Sequence, residues 1–276
     1  MMARPLRIGI AGCGAIGGSL ARTIARDFRK QARISGLYDS DAKKAQRLAR
    51  SLESRVKATG TLQRLIAGAD LVIEAACARD SFFIAQEALR RGRDVLVMSV
   101  GGLLAAGRIE RLERLCRDRG ARLYVPSGAL AGIDAVKASV GGKIKSVTLT
   151  TIKHPRSFKG VAFVEKKSIA LGSIKKDTVL FSGTAGKAVT LFPQNINVAA
   201  VLSLAGIGAD RTRVRIVASP GASRNVHEVT VESGAGKVFA RTENVVHPDN
   251  PKTSYLAVLS AIACLRQILR PVSIGT

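Results

Sequence analysis

The chain has no tryptophan, three tyrosines and eight phenylalanines, so aromatic residues occupy only 4% of its 276 positions. So few rings leave little with which to stack unpaired bases, which speaks against a binder of single-stranded nucleic acid. Cysteine is nearly as scarce. Cys13, Cys77, Cys116 and Cys264 are widely scattered without any Cys-x-x-Cys spacing, a pattern that argues against a disulfide framework and a structural zinc site. Reduced thiols in a cytoplasmic protein, with no metal, are expected. Long hydrophobic runs are also missing. The longest candidate, INVAAVLSLAGIGA, falls short of the roughly 20 residues a membrane span needs and contains two glycines. Arg4 and Arg7 before IGIAGCGAIGG imitate a signal peptide, but that density of glycine breaks the helix such a signal requires. A buried first strand followed by its turn is expected instead.

Acidic residues are outnumbered, 20 against 44 lysines and arginines, which leaves a formal net charge of +24. Such a balance raises the question of nucleic acid. The basic residues occur as dispersed pairs such as Lys43-Lys44, Arg90-Arg91 and Lys175-Lys176, and no helix-turn-helix or zinc-finger pattern accompanies them. A solvated basic surface that holds polyanions loosely is expected, without specific nucleic-acid recognition and without a membrane partner.

What the chain does have is a 46% hydrophobic content, enough at this length for one large or two ordinary domains. LRIGIAG, ARISGLYD, ADLVIEAA, DVLVMSVG and ARLYVPSG read as buried strands, separated by helix-like segments such as AIGGSLARTIARDF and SDAKKAQRLARSL. Ser40 or Asp41 is placed to cap the second of these helices. Apolar strands alternating with amphipathic helices predict an α/β, Rossmann-type, doubly wound parallel sheet. After about residue 130 the texture changes. GKIKSVTLTTIKHP, RVRIVAS and NVHEVTVESG alternate as strands, while GTAGKAVTLFPQNINVAAVLSLAG reads as one helix, or as two broken near Pro193. A second α+β domain with an open mixed sheet follows. In NPKTSYLAVLSAIACLRQIL, Asn250 is placed to cap a last helix with Pro251 at its first position and apolar residues at 255, 258, 259, 262, 265 and 269. That stripe is expected to return to the first domain. The expected division is 1–130 plus 250–276 for dinucleotide binding and 131–249 for catalysis, substrate and dimerisation.

Gly12, Gly14 and Gly17 form G-x-G-x-x-G between a predicted strand and a predicted helix. Gly12 permits the tight turn, Gly14 lets a pyrophosphate approach the backbone, and Gly17 allows close helix packing. The phosphate then lies at the helix N-terminus, where Ala15 and Ile16 join the glycines as cofactor-binding residues. Asp39 closes the second strand at the distance expected of an acid that binds an adenosine ribose. A carboxylate there repels a 2′-phosphate, which favours NAD, although Lys43 and Lys44 soften the preference and NADP stays open. The plainer alternative is glycines that serve packing alone and an Asp39 that caps the following helix.

Three histidines could move protons in such an enzyme. His227 lies in phase with Val229 and Val231 on the face of its strand expected to be covered, a common setting for a satisfied core histidine. His154 and His247 each precede a proline in expected loops. From the residues alone His227 and His247 rank nearly level. Lys252, Thr253 and Ser254 put a cation and hydroxyls near an expected helix start, where a carboxylate could be held. The alternative is a capped helix beginning.

At these residues the sequence resembles the L-aspartate dehydrogenase family, amino-acid oxidoreductases associated with NAD biosynthesis. The resemblance is carried by GCGAIGG, VPSGALAGIDA, TIKHPRSFKG, GTAGKAVTLFPQNINVAAVLSLAGIG, DRTRVRIVASPGASRNVHE and NPKTS, in that order along the chain. It implies NAD(P)-dependent oxidation of L-aspartate to iminoaspartate, then oxaloacetate and ammonia, and the reverse reductive amination. It implies that His227 is the catalytic histidine and that Ala131 and Asn197 contact the cofactor. Asn197 and His227 are expected at the substrate, whose two carboxylates call for several donors, and Lys252, Thr253 or Ser254 is expected to contribute some of them. A homodimer is expected, since an open sheet offers an edge or a face. The rival readings are a related two-domain oxidoreductase, dihydrodipicolinate-reductase-like or homoserine-dehydrogenase-like, and an NAD-sensing regulator that binds nucleic acid.

Overall fold

A computed structural model describes residues 4–52, 56–192, 196–248 and 250–275. The chain forms two compact units, residues 1–126 with 258–273 and residues 127–257 with 274–276.

The first unit begins with β1 (Leu6–Ala11), α1 (Ala15–Asp27), β2 (Ala32–Tyr38), α2 (Ala42–Ser51), α3 (Leu62–Gly68) and β3 (Leu71–Glu74). It continues with α4 (Ala78–Arg90), β4 (Asp94–Val97), α5 (Arg108–Arg119) and β5 (Leu123–Tyr124). All pairings are parallel, in the order β2-β1-β3-β4-β5. Alternation of side chains along each strand feeds two cores. Ile8, Ile10, Leu71, Ile73 and Leu96 pack with Leu20 and Ile24 of α1 and Leu48 of α2 on one face. Ala11, Val72, Val95 and Val97 pack with α3, α4 and Leu112 of α5 on the other. Strands buried on both faces read as unbroken apolar runs, which is why the sequence shows no clean alternation here. Across the ends of β1 and β3, Arg7 Nε donates to Asp70 Oδ2 at 3.0 Å, and this bond holds the Asp70 carboxyl down at about 2. The expected doubly wound sheet is present. It contains one helix the sequence reading passed over, α3, whose short LQRLIAG core buries Leu62, Leu65 and Ile66.

The second unit contains α6 (Ile133–Val140), β6 (Ile144–Lys153), α7 (Ala162–Lys166), β7 (Thr178–Thr184), α8 (Ala185–Leu191) and α9 (Ile196–Ala205). Then come β8 (Arg213–Ala218), β9 (Asn225–Ser233), β10 (Gly236–Asn244), β11 (Val246–His247) and β12 (Asn250–Ser254). Five strands form a mixed sheet in the order β10-β9-β6-β8-β7, with β6 and β8 parallel and the remaining pairs antiparallel. One face is apolar: Val147, Leu149, Val214, Ile216, Val229 and Val231 pack with Phe158, Phe192, Ala199 and Leu202. The other carries Thr148, Thr150, Thr230, Arg213 and Arg215, which are partly or fully exposed. The segment 183–208 does divide into two helices, α8 and α9, while Pro193 itself lies outside the described residues. Two strands of this sheet, β7 and β10, were not anticipated, nor was β11, which takes the place of the loop expected at His247.

The last helix, α10 (Tyr255–Leu269), starts five residues later than the expected cap at Asn250. The backbone of 250–254 is instead extended and pairs with β11. The short sheet supplies the hydrogen bonds that a capped helix turn was expected to supply. Val258, Ala261 and Leu265, spaced three and four apart, join the core of β1, α1 and α2. Among the described residues no helix is long and apolar enough to cross a membrane. Leu265 is 1% exposed, so Leu265→Ala is expected to lower stability by about 2–5 kcal/mol. Denaturant unfolding checks this, and a loss under about 1 kcal/mol would contradict tight docking of α10.

Candidate functional site

In the first unit the chain reverses between Ala11 and Ala15. Gly12 adopts φ +102°, and a Cβ there would stand 2.3 Å from the Ala75 carbonyl oxygen. A Cβ on Gly17 would stand 1.9 Å from the Gly12 carbonyl oxygen. These two glycines are demanded by backbone packing against backbone. Gly14 differs: its φ is −77°, and nothing lies within 4 Å of where its Cβ would be. As the N-cap of α1 it offers no side-chain hydrogen bond, and the first turn holds no acidic residue. Ala15, Ile16 and Gly17 therefore present helix N-terminal N–H groups without a side-chain cap, an arrangement suited to an anion. The turn opens into a cavity of about 740 Å³ lined by Gly12, Gly14, Asp39, Ser40, Lys44 and Thr61 among others, a volume typical of ligand pockets. The glycine cradle and the donor set fit a dinucleotide.

Asp39 is fixed against this turn. Its Oδ2 accepts from Cys13 N at 2.7 Å and its Oδ1 from Asp41 N at 2.9 Å. Each oxygen keeps a further lone pair for a ligand. Asp41, whose Oδ1 accepts from Lys43 N at 3.0 Å, caps α2, so Asp39 is not needed for that task. Burial and the nearby Asp39 push the Cys13 thiol up to about 12, which keeps it protonated and unreactive.

Sequence reading passed over Glu74, the last residue of β3. It is 0% exposed, and its two oxygens accept from Ala76 N at 2.8 Å and Ser99 N at 2.9 Å. Ser99 Oγ in turn donates to Ala76 O at 3.0 Å. Glu74 thus cross-links the carboxyl ends of β3 and β4, beside Ala75, Ala76 and Cys77, which line the cavity. Burial pushes its carboxyl up to about 7, against the opposing pull of its backbone donors. The pattern LVIE reads as an ordinary strand, and no local signal marks the acid.

In the second unit His227 is 5% exposed and pairs in register with Thr151 of β6. The Thr151 Oγ1 to His227 Nδ1 distance is 3.1 Å. Burial, reinforced by the charge of Lys153, pushes the imidazole down to about 3, so the ring is neutral at physiological pH. Burial likewise lowers Lys153 to about 8. On the other side of β9, Thr242 pairs with His227. Thr242 Oγ1 donates to Ala129 O at 3.0 Å, Asn244 Nδ2 donates to the same oxygen at 3.3 Å, and Ser254 Oγ donates to Asn244 Oδ1 at 2.8 Å. This relay ties the loop that carries Ala131, and the end of β12, to the strand beside the histidine. Thr151, Lys153, Thr242 and Asn244 escaped the sequence reading because strand register alone reveals them.

The other candidates divide accordingly. Ala131 is exposed next to Gly132, whose φ is +79°, and Asn197 is exposed on the first turn of α9. Both belong to the second unit, whereas the glycine turn and Asp39 belong to the first. Thr253 and Ser254 are half-buried on β12, and the side chain of Lys252 lies outside the described residues. His247 is 3% exposed, edge-on to the Tyr255 ring at 5.5 Å. His154 Nδ1 accepts from Arg156 N at 3.2 Å as a turn cap.

Two variants separate ligand binding from packing. Gly14→Ala enters open space and is expected to alter stability by less than about 0.5 kcal/mol while weakening dinucleotide binding measured by calorimetry. Gly17→Ala is expected to cost about 1–3 kcal/mol or more because backbone must shift. Equal behaviour of the two would remove the phosphate role from Gly14. Glu74 predicts a pH effect. Because its native carboxyl is held above its ordinary 4.5, the native state keeps a proton that the unfolded chain gives up. This contribution is full below the unfolded value and is lost as pH rises through about 7. The stability difference between wild type and Glu74→Gln is expected to shrink from about pH 5 to about pH 8 in unfolding titrations, and a constant difference contradicts it.

Comparison with known proteins bears on both units. Residues 134–268 match the family described as aspartate dehydrogenase, C-terminal, and residues 12–126 match the homoserine dehydrogenase NAD binding domain. The chain is 48% identical to the L-aspartate dehydrogenase of Methanosarcina barkeri, over 98% of this chain and 100% of that protein. It is 39% identical to that of Nitrosopumilus maritimus, over 98% and 99%. The crystal structure of aspartate dehydrogenase from Thermotoga maritima matches with a TM-score of 0.74 at 25% identity, over 99% of this chain and 100% of that one. GenD2 from gentamicin A biosynthesis, solved in complex with NAD, shares the fold at 17% identity with a TM-score of 0.57, over 100% and 90%. The match to the homoserine dehydrogenase family model lies in the first unit, and the match to the aspartate dehydrogenase family model covers most of the second. Over its whole length the chain belongs to the L-aspartate dehydrogenase family.

Proposed function

We propose that the chain oxidises L-aspartate with a nicotinamide dinucleotide, yielding iminoaspartate and then oxaloacetate and ammonia, and that it also runs the reductive amination. The observation that carries this reading, beyond family membership, is His227: a neutral imidazole removed from water and held at Nδ1 by Thr151. When bound, the nicotinamide supplies the hydride acceptor. The glycine turn, the N-terminus of α1 and Asp39 hold the dinucleotide, with Ala131 and Asn197 as further contacts.

The α-amine of aspartate enters as ammonium and must lose a proton before hydride departs from the α-carbon. Nε2 of His227 takes that proton if Nδ1 carries the ring hydrogen and donates it to Thr151 Oγ1. Once the imine has formed and that proton has passed to solvent, the same nitrogen, again without a hydrogen, accepts a proton from the water that attacks carbon. In the reductive direction it returns the proton to nitrogen. Burial serves this task because it keeps the ring uncharged and aims it; a solvated histidine would spend part of its time protonated near neutrality.

Asp39 supports NAD over NADP. Its carboxylate is pinned beside the glycine turn and cannot swing away from a 2′-phosphate without losing the Cys13 and Asp41 N–H bonds. The ratio of kcat/KM for NAD to that for NADP is expected to exceed about tenfold and to fall in Asp39→Ser, since like-charge juxtaposition at such a site costs several kcal/mol. Two copies of the chain are proposed to associate through the face of the second sheet left without helices, where Phe239 is 60% exposed. All four cysteines are free, in keeping with a reducing, cytoplasmic compartment.

The decisive experiment is NAD-dependent turnover of L-aspartate by wild type and His227→Ala. The variant is expected to lose about 10²–10⁴-fold in kcat with an unchanged NADH dissociation constant. Undiminished turnover would remove His227 from the chemistry, and no turnover by wild type would refute the activity.

A further inference from the structure

The apolar face of the second sheet changes character at one end. Along β6 the positions on that face are Val147, Leu149, Thr151 and Lys153, since alternate residues share a face. Beside them on β8 stand Val214, Ile216 and Ala218, and on β9 stand Val231, Val229 and His227, by the observed register. Of these ten positions seven are aliphatic, and the polar ones, Thr151, Lys153 and His227, are adjacent. Arg213 and Arg215 of β8 pair with Thr148 and Thr150 and so belong to the opposite face. Lys153 is therefore the one cation among these positions, opposite Ala218, which contributes no more than a methyl group. Ser219 N donates to Lys153 O at 2.9 Å and fixes the end of the strand.

We propose that Lys153 binds a carboxylate of the dicarboxylate substrate beside His227, an assignment that rests on the proposed oxidation of L-aspartate. An ammonium drawn out of water costs free energy, and a carboxylate ligand offsets it more strongly in such surroundings than at a solvated surface. The charge of Lys153 is one of the two causes that weaken His227 as a base. A bound carboxylate neutralises that charge, so substrate binding itself strengthens the base.

The test compares wild type, Lys153→Met and Lys153→Arg. In Lys153→Met the KM for L-aspartate is expected to rise about 30-fold or more, as is the inhibition constant of succinate, a dicarboxylate without an amine. The KM for NAD stays within about twofold, and Lys153→Arg recovers part of the loss because it keeps the charge. Unchanged KM and succinate inhibition in a folded Lys153→Met overturn the assignment. Calorimetry of succinate binding to the NAD-loaded proteins keeps the two proposals apart. Succinate binding that is lost in Lys153→Met, in a wild type that does not oxidise L-aspartate, refutes the substrate while leaving the carboxylate site. Should Lys153→Met not fold, reductive methylation of Lys153 in wild type, followed by peptide mass spectrometry, decides. Slower modification with succinate supports the site, and an unchanged rate overturns it.

Discussion

The carbonyl oxygen of Gly12 occupies the space that any side chain at Gly17 would need. That approach of backbone to backbone compresses the link between β1 and α1 to three residues, and much of the first unit depends on it. It sets the start of α1 directly past the end of β1. It also brings Gly12 against Ala75, so that the turn and the end of β3 form one wall. Asp39 then completes the wall from β2 by accepting the Cys13 N–H. Side chains play almost no part in shaping the turn. What they would have filled is left as the cavity, and the helix N-terminus faces that cavity with donors that no residue of its own first turn satisfies.

Ionisable groups in or beside the cores impose a second constraint, and the chain meets it in different ways. Asp70 remains charged because it is partly solvated and bonded to Arg7. Glu74 has no such cation, and two backbone N–H groups offset only part of its burial, so its carboxyl moves toward neutrality. His227 avoids the cost altogether by staying uncharged, with Thr151 satisfying one ring nitrogen. Polar groups sequestered in this fashion destabilise the fold relative to apolar substitutes. Glu74 stands at the carboxyl end of a parallel strand, where ligands meet open α/β sheets, and His227 stands at the polar end of an apolar sheet face.

How much of this could be read beforehand depended on range along the chain. The glycine turn and Asp39 were legible because each role is local: a tight turn, an open approach, an acid ending the next strand. Residue His227 was correctly placed on a covered face because Val229 and Val231 share its period of two. Helix α3 escaped because seven residues carry too little periodicity, and β10 because an edge strand of alternating Lys, Phe, Arg and Glu resembles a solvated loop. The cap at Asn250 failed for another reason. Asn-Pro before an apolar stripe is a strong local signal, but pairing with β11 supplied the backbone with partners farther away, and tertiary pairing overrode propensity. Thr151 and His227 are 76 residues apart, and nothing local to either announces the other.

Much of the excess positive charge lies along exposed helix faces, although Lys44 among these cations also lines the cavity beside Asp39. Lys43, Lys44, Arg47 and Arg50 are exposed on α2, and Arg111, Arg114, Arg117 and Arg119 are exposed on α5, beyond the reach of 20 acidic residues to neutralise. Exposed charges of this kind raise the local concentration of any anion, dinucleotide and dicarboxylate alike, and salt screens them over a Debye length of about 10 Å. They cannot choose between anions. Choice requires groups held in one place, as the Asp39 carboxylate is by the Cys13 and Asp41 N–H bonds. On the proposed reading, the dispersed surface cations attract anions in general, and discrimination falls to Asp39 and Lys153.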